Sequence, residues 1–220
     1  MKDIFSYNAD IKKNAYMNWR TNRFNHIHNM HVIAAGFFSS AILLAENCLL
    51  DNYGKKADML IFPILFNANH AIEVYLKSIC WSLNELLDNG DTFKGTHDLK
   101  QLFNISKELV TKFSSDTKSL FWTENLEAYI DELYQKIERI NTKGKLINDI
   151  TFARYSLTMD ASPQFYINEF DNVVVDLENF VEIFQEIFKN LNNIATYYLD
   201  LLERRNEMRA EIESEYRSER

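Results

Sequence analysis

The sequence predicts an all-α protein: an up-and-down helical bundle with a long C-terminal helix and a small irregular or hairpin insertion around residues 146–171. Three observations carry this. Only 5 Gly and 2 Pro occur in 220 residues, which favours long uninterrupted helices over strands and turns. Apolar residues make up 46% of the chain, enough to bury a sizeable core. Residues 66–87 and 177–201 place their apolar side chains at helical spacing. With no Gly/Ser/Pro linker and no internal repeat, residues 1–220 read as one domain.

Taken in order, residues 8–19 are a short amphipathic helix candidate. Residues 24–51 form a long helix ending near "DNYGKK", with Gly54 as a C-terminal stop. Residues 57–88 form the next, and Pro63 in its first turns predicts a kink or a restart. "DNGDTFKGT" is a loop by composition. Residues 97–113 are a helix opened by Thr96 or Asp98 as a cap. Residues 117–141 are another, closed around "NTKGK".

The pattern then changes. "DITFARYSL", "QFYIN" and "NVVVDL" are β-branched and aromatic, with Pro163 among them. They form a long connection, 146–171, with room for a small hairpin; connections of this length are uncommon and often functional. In the last helix Leu177, Phe180, Phe184, Ile187, Leu191, Ile194, Tyr198 and Leu201 alternate steps of three and four, an a/d seam. Leu191, Ile194, Tyr198 and Leu201 are its expected oligomer-forming part. Arg205 interrupts the seam, and Met208 and Ile212 resume it. Residues 172–214 would span roughly 60 Å as a helix, so the charged extension from about 203 to 220 is expected to project.

The formal charge of −8 makes nucleic acid a disfavoured default ligand, because phosphate binding wants a basic face. Cys48 and Cys80 sit on apolar runs and read as reduced core thiols of a cytoplasmic protein. "MKDIFSYNADIKK" has no signal-peptide apolar region. Val32–Leu50 is long enough to span a membrane, but Ser39, Ser40, Glu46 and Asn47 interrupt it, so a core helix is the better reading. No cofactor and no membrane are expected.

Within "FNANHAIEVYLKSICWSLNELL", His70, Glu73 and Lys77 draw a polar stripe along an otherwise apolar helix. Glu73 and Lys77 are an i,i+4 pair in the favourable order. In a groove between helices they would neutralise each other, since a half-buried charge needs a partner. The alternative is a site that gathers a carboxylate, a lysine and an imidazole. Asp98 after His97 suits the free N–H groups of a first helical turn. His26, His28 and His31 lack a nearby Cys or carboxylate, so no metal site is expected. There is no Gly-rich phosphate loop and no Gly-x-Ser-x-Gly elbow.

"HAIEVYLKSI", a loop, "GTHDLKQL", and "FARYS" before the final helix together resemble the HEPN family of bacterial helical-bundle proteins. The match covers residues 58–200 as an architecture, and its specific motifs are residues 70–79 and 96–102. Glu73, Lys77, His97 and Asp98 match recurrent family positions, and Arg154 with Tyr155 matches an arginine–tyrosine pair before the last helix. The resemblance implies a bundle that often dimerises. It also implies, for many members, metal-independent ribonuclease activity in toxin–antitoxin, phage-defence and abortive-infection systems. Their catalytic signature is an arginine, four to six residues and a histidine near the start of the last helix, with the histidine moving the proton and the arginine stabilising charge.

No histidine follows Arg154 here. The spacing recurs only at Arg23 with His28 and at Arg20 with His26, in an element where the family does not carry it. The expectation is therefore a non-catalytic or degenerate HEPN-like binding and dimerisation module, a homodimer open to a protein partner. The alternatives are a metal-independent ribonuclease using Arg23 and His28, or His70, His97 and Arg154, and an assembly protein acting through its C-terminal helix.

Overall fold

The structure, a computed structural model, describes residues 2–114, 120, 122–140, 144, 146–147, 153–155, 157 and 173–218. Five helices carry the fold: α1 (His26–Leu50), α2 (Ala57–Leu86), α3 (Leu99–Phe113), α4 (Glu124–Ile137) and α5 (Leu177–Ser218). A two-residue antiparallel pair, Arg139–Ile140 with Leu146–Ile147, follows α4. The expected all-α class is what the chain adopts. The hairpin expected within 146–171 lies mostly outside the described residues; the pair that is seen starts earlier, directly at the end of α4.

α2 is the central helix. It is buried on every side from Ala71 to Cys80, as a helix apolar all round must be. α1, α3 and α5 pack on it, α1 also meets α5, and α4 bridges α3 and α5. The inner face of α1 is Ala34, Phe38, Ala41, Ala45 and Cys48, all with no solvent exposure. Phe38 stacks on Phe188 of α5 at 4.8 Å. Each fully buried Leu, Ile or Phe in this core contributes ~1.5–3 kcal/mol. Two polar pairs lie inside: Tyr75 Oη donates to Asn192 Oδ1 (3.1 Å), and Asn69 Nδ2 donates to Tyr129 Oη (2.8 Å), whereas the Ser82 hydroxyl and the Trp122 indole N–H are buried without a hydrogen-bond partner among the described residues. Cys48 and Cys80 are buried free thiols, and burial pushes Cys80 up to about 12.

Several expectations are corrected. Residues 8–19 form no helix beyond a single 3-10 turn, Ile11–Lys13. Asn14 ties its side chain to both backbone groups of Asn8, at 2.7 Å each, and Asp10 Oδ1 accepts from Lys12 N. Such local bonds compete with a helix, and Ile11 buries nothing that would offset them, being 58% exposed. α2 neither ends nor restarts at Pro63. The missing N–H deprives Met59 of a partner, and Met59 is 71% exposed, so water can reach that carbonyl. Gly54 is not the left-handed residue after α1; Lys55 is, at φ 57°. α4 ends at Ile137 rather than near 141; of the expected helix 117–141, residues 117–119, 121 and 141 lie outside the described residues.

α5 has 42 residues and spans ~63 Å. Its seam faces inward. Leu191, Ile194 and Tyr198 are buried and Leu201 packs against the core, so this stripe is closed by the chain's own helices rather than offered to a partner. From Glu203 onward the helix is exposed apart from Arg205. Arg205 donates to the Glu85 carbonyl at the end of α2, and Arg205 and Arg209 lie 3.4 and 3.2 Å from the Asp88 carboxylate. The residue that interrupts the seam therefore caps a neighbouring helix, where a cation suits the negative end of the dipole.

α1 and α2 are both long and apolar enough to cross a membrane by length and composition. α2 is enclosed from Ala71 to Cys80 and partly exposed before that, and α1 buries one face against the other helices.

Candidate functional site

The site grows from one face of α2. Steps of three and four residues bring His70, Glu73 and Lys77 onto a single edge, and the segment before α3 crosses that edge. Glu73 is the centre. Its Oε1 accepts from Lys77 Nζ (2.7 Å) and faces His97 Nδ1 at 3.0 Å, while Oε2 is 3.9 Å from His70 Nδ1. Burial alone would push this carboxyl up. The donors of His70 and Lys77 and the charges of Lys77 and His97 outweigh it and hold Glu73 down at about 2. Glu73 is therefore a permanent carboxylate at neutral pH. With Nδ1 of His97 donating to it, Nε2 of that ring faces away from Glu73, an acceptor when the ring is neutral and a donor when it is cationic.

Aromatic rings wall this group. Phe66, one turn before His70, stacks parallel to it (5.6 Å, 7°), and Phe37 of α1 meets the same imidazole edge-on at 4.5 Å. Arg154 lies over Phe66 at 5.2 Å and over Tyr155 at 5.5 Å, cation–π distances. Lys77 Nζ lies 5.6 Å from the Phe93 ring. The fold thus gathers His70, Glu73, Lys77 and His97 directly, and Arg154 and Tyr155 through Phe66. The buried members are Glu73 and Lys77; His97, with its side chain 78% exposed, and Arg154 are the exposed ones.

Asp98 takes a different part. Its Oδ1 accepts from Gln101 N (3.0 Å), capping α3, and from Tyr134 Oη (2.8 Å), tying that cap to α4. It borders a surface cleft of about 690 Å³ between α3 and α4. That cleft also carries Lys94, Lys100 and Asp131 but none of the Glu73 group.

The fallback pair is not assembled. His28 Nε2 is engaged with the Arg20 carbonyl at 2.9 Å, and Arg23 lies over Phe24 at 5.6 Å. No hydrogen bond joins Arg23 to His28 among the described residues. His26 stacks with Trp81 at 6.3 Å. His31 is a core-side histidine whose Nε2 is buried without a hydrogen-bond partner; burial, then the charge of His28, lowers it to about 4. Among the described residues no group of three or more His, Cys, Asp or Glu is placed to hold a metal ion.

Sequence reasoning missed Phe66, Phe37 and Phe93. Phe66 had a signal, four residues before His70 on the same face, but aromatics at helical spacing ordinarily mean core. Compared with protein-family models, curated proteins and solved structures, the chain matches nothing.

Proposed function

We propose that this chain is a HEPN-like helical module that binds and dimerises rather than cleaves RNA, in a bacterial or phage defence or toxin–antitoxin setting. The observation that supports it is the closure of the Glu73 carboxylate on Lys77 and His97. That arrangement is a neutralised ion cluster in which the acid positions its cationic neighbours. What it leaves open is an edge of His97 and Arg154, donors without an exposed carboxylate of their own, which suits an anionic group on a ligand. The missing histidine after Arg154 supports the non-cleaving part of the reading.

The test uses inorganic phosphate as the probe, followed by NMR of the histidine ring protons. Added phosphate shifts His97 and His70, and Arg154→Ala abolishes the shift. Rings that do not respond, or respond equally in Arg154→Ala, contradict an anion edge at this place.

One observation favours a second reading. A histidine oriented by a carboxylate, with an arginine nearby, is the equipment of metal-independent phosphodiester cleavage. In that reading His97 takes the proton, Glu73 orients it, and Arg154 leaves Phe66 to stabilise the charge that develops on phosphorus oxygens.

A further inference from the structure

α1 carries two seams. One, Ala34, Phe38, Ala41, Ala45 and Cys48, faces the core. The other, Ile33, Gly36, Ser40, Leu43, Asn47 and Leu50, keeps the same alternation of three and four and faces solvent at every position. Ile33 is 46%, Leu43 65% and Leu50 84% exposed. Nothing among the described residues accounts for this second pattern, since an outward helix face is ordinarily polar. We infer that this outward seam is where a second copy of the chain docks, helix against helix, with the closest approach at Gly36 and Ser40. The inference rests on the dimerising module proposed above and names its surface.

Three further facts point the same way. Gly36 has ordinary helical geometry, and a Cβ built there meets nothing within 4 Å. A glycine in mid-helix weakens the helix relative to alanine, and no neighbour within the chain requires it. A second backbone lying across that point does. The Ser40 hydroxyl donates to the Gly36 carbonyl at 2.8 Å, so burying it leaves no unpaired donor.

Charge selects the occupant. Residues 26–45, which hold the seam from Ile33 to Leu43, contain no Asp, Glu, Lys or Arg, although the chain carries −8; charge begins only at the seam's C-terminal end, with Glu46 and with Lys56 bonded to Asn47. Two such chains repel over most of their surface. They can approach only where there is no like charge to oppose and none to strip of water. Both polar seam positions are already bonded within the protomer, Ser40 to the Gly36 carbonyl and Asn47 Oδ1 to Lys56 Nζ at 3.0 Å, and a two-fold pair is self-complementary by construction. A bilayer surface is a poorer fit, because interfacial helices flank their apolar face with Lys or Arg and α1 has neither. Phe37, next to Gly36, is in contact with His70, so the seam adjoins the Glu73 group.

The experiment is light scattering on the full chain eluting from size exclusion at tens of micromolar, with circular dichroism on every variant. Wild type elutes as a dimer. Leu43→Glu elutes as a monomer with wild-type helicity at about 20 °C, its melting temperature lowered only by the loss of association. Gly36→Leu is also monomeric with wild-type helicity, because the added side chain enters open space within the protomer. Dimers that survive both substitutions place self-association elsewhere: the surface assigned here is then wrong while the dimerising reading stands. Dimers lost only in Met208→Glu with Tyr216→Glu move the contact to the α5 extension. A monomeric wild type removes both the surface and the dimer. Flotation with phosphatidylglycerol vesicles that is lost in Leu43→Glu assigns the seam to lipid and overturns a second copy as the occupant.

Discussion

Glu73 and His31 set the acid response of this protein, in adjacent pH windows. His31 is depressed from 6.5 to about 4 in the fold. Between those values the unfolded chain binds a proton that the folded chain refuses, so stability present above pH 6.5 is lost as pH falls toward 4. Glu73 is depressed from 4.5 to about 2, so its contribution is present above pH 4.5 and lost as pH falls toward 2. Each window is worth up to about 3 kcal/mol. Urea denaturation from pH 7.5 to 3 is expected to show a two-stage decline. His31→Phe removes the upper stage and Glu73→Gln the lower. A single decline that neither substitution alters contradicts the placement of both groups. At this scale the sequence was readable where the partners share a helix: Glu73 and Lys77 are an i,i+4 pair, and Asp98 before an apolar run is a cap. Spacing did not pair His97 Nδ1 with Glu73 across 24 residues, although the family resemblance grouped the two, and nothing pointed to Phe66 touching both Arg154 and His70, because those contacts depend on how helices and connections cross.

α5 shows what an element's own pattern can and cannot say. Its alternation of three and four residues gave the helix and nearly its length, and Arg205 was visible as an interruption. The partner of the seam was not visible, since the same a/d pattern serves a second chain or the chain's own bundle; here it is α1 and α2 that fill it. The N-terminal residues 8–19 erred for the opposite reason. Their apolar spacing was helical, but no neighbouring surface buries it, and Asn8, Asp10 and Asn14 bond the backbone instead. Beyond Leu202 the extension is held near its start by Asn25, which donates to Glu203, by the Glu85 carbonyl, which accepts from Arg205, and by Asp88, which pairs with Arg205 and Arg209. Asp88→Ala is therefore expected to increase hydrogen exchange in residues 203–218 and to leave residues 177–200 unchanged, at a global cost of no more than about 1 kcal/mol because the ion pairs are largely exposed. Unchanged protection of the extension would mean that Arg205 bonded to the Glu85 carbonyl suffices to hold it.

At the scale of the whole molecule, composition was decisive for the fold. Few glycines and prolines, and long apolar periods, leave a 220-residue chain little choice but a helical bundle, and α2, apolar all round, had to be its centre. Function was less legible, because a bundle defines no chemistry by itself. The HEPN resemblance rests on two short motifs, and the same motifs that suggest a nuclease family come without its histidine after Arg154. The fold adds a fixed carboxylate with three cationic or imidazole neighbours, an arginine parked on a ring, and an uncharged outer seam on α1. These features together suit a module that pairs with itself and holds an anionic group. The most direct test is incubation of the purified chain with mixed structured and single-stranded RNA in EDTA, beside His97→Ala and His28→Ala. The account predicts RNA left intact by all three proteins. Cleavage by the wild-type chain that disappears in His97→Ala or His28→Ala would contradict it and locate an active site.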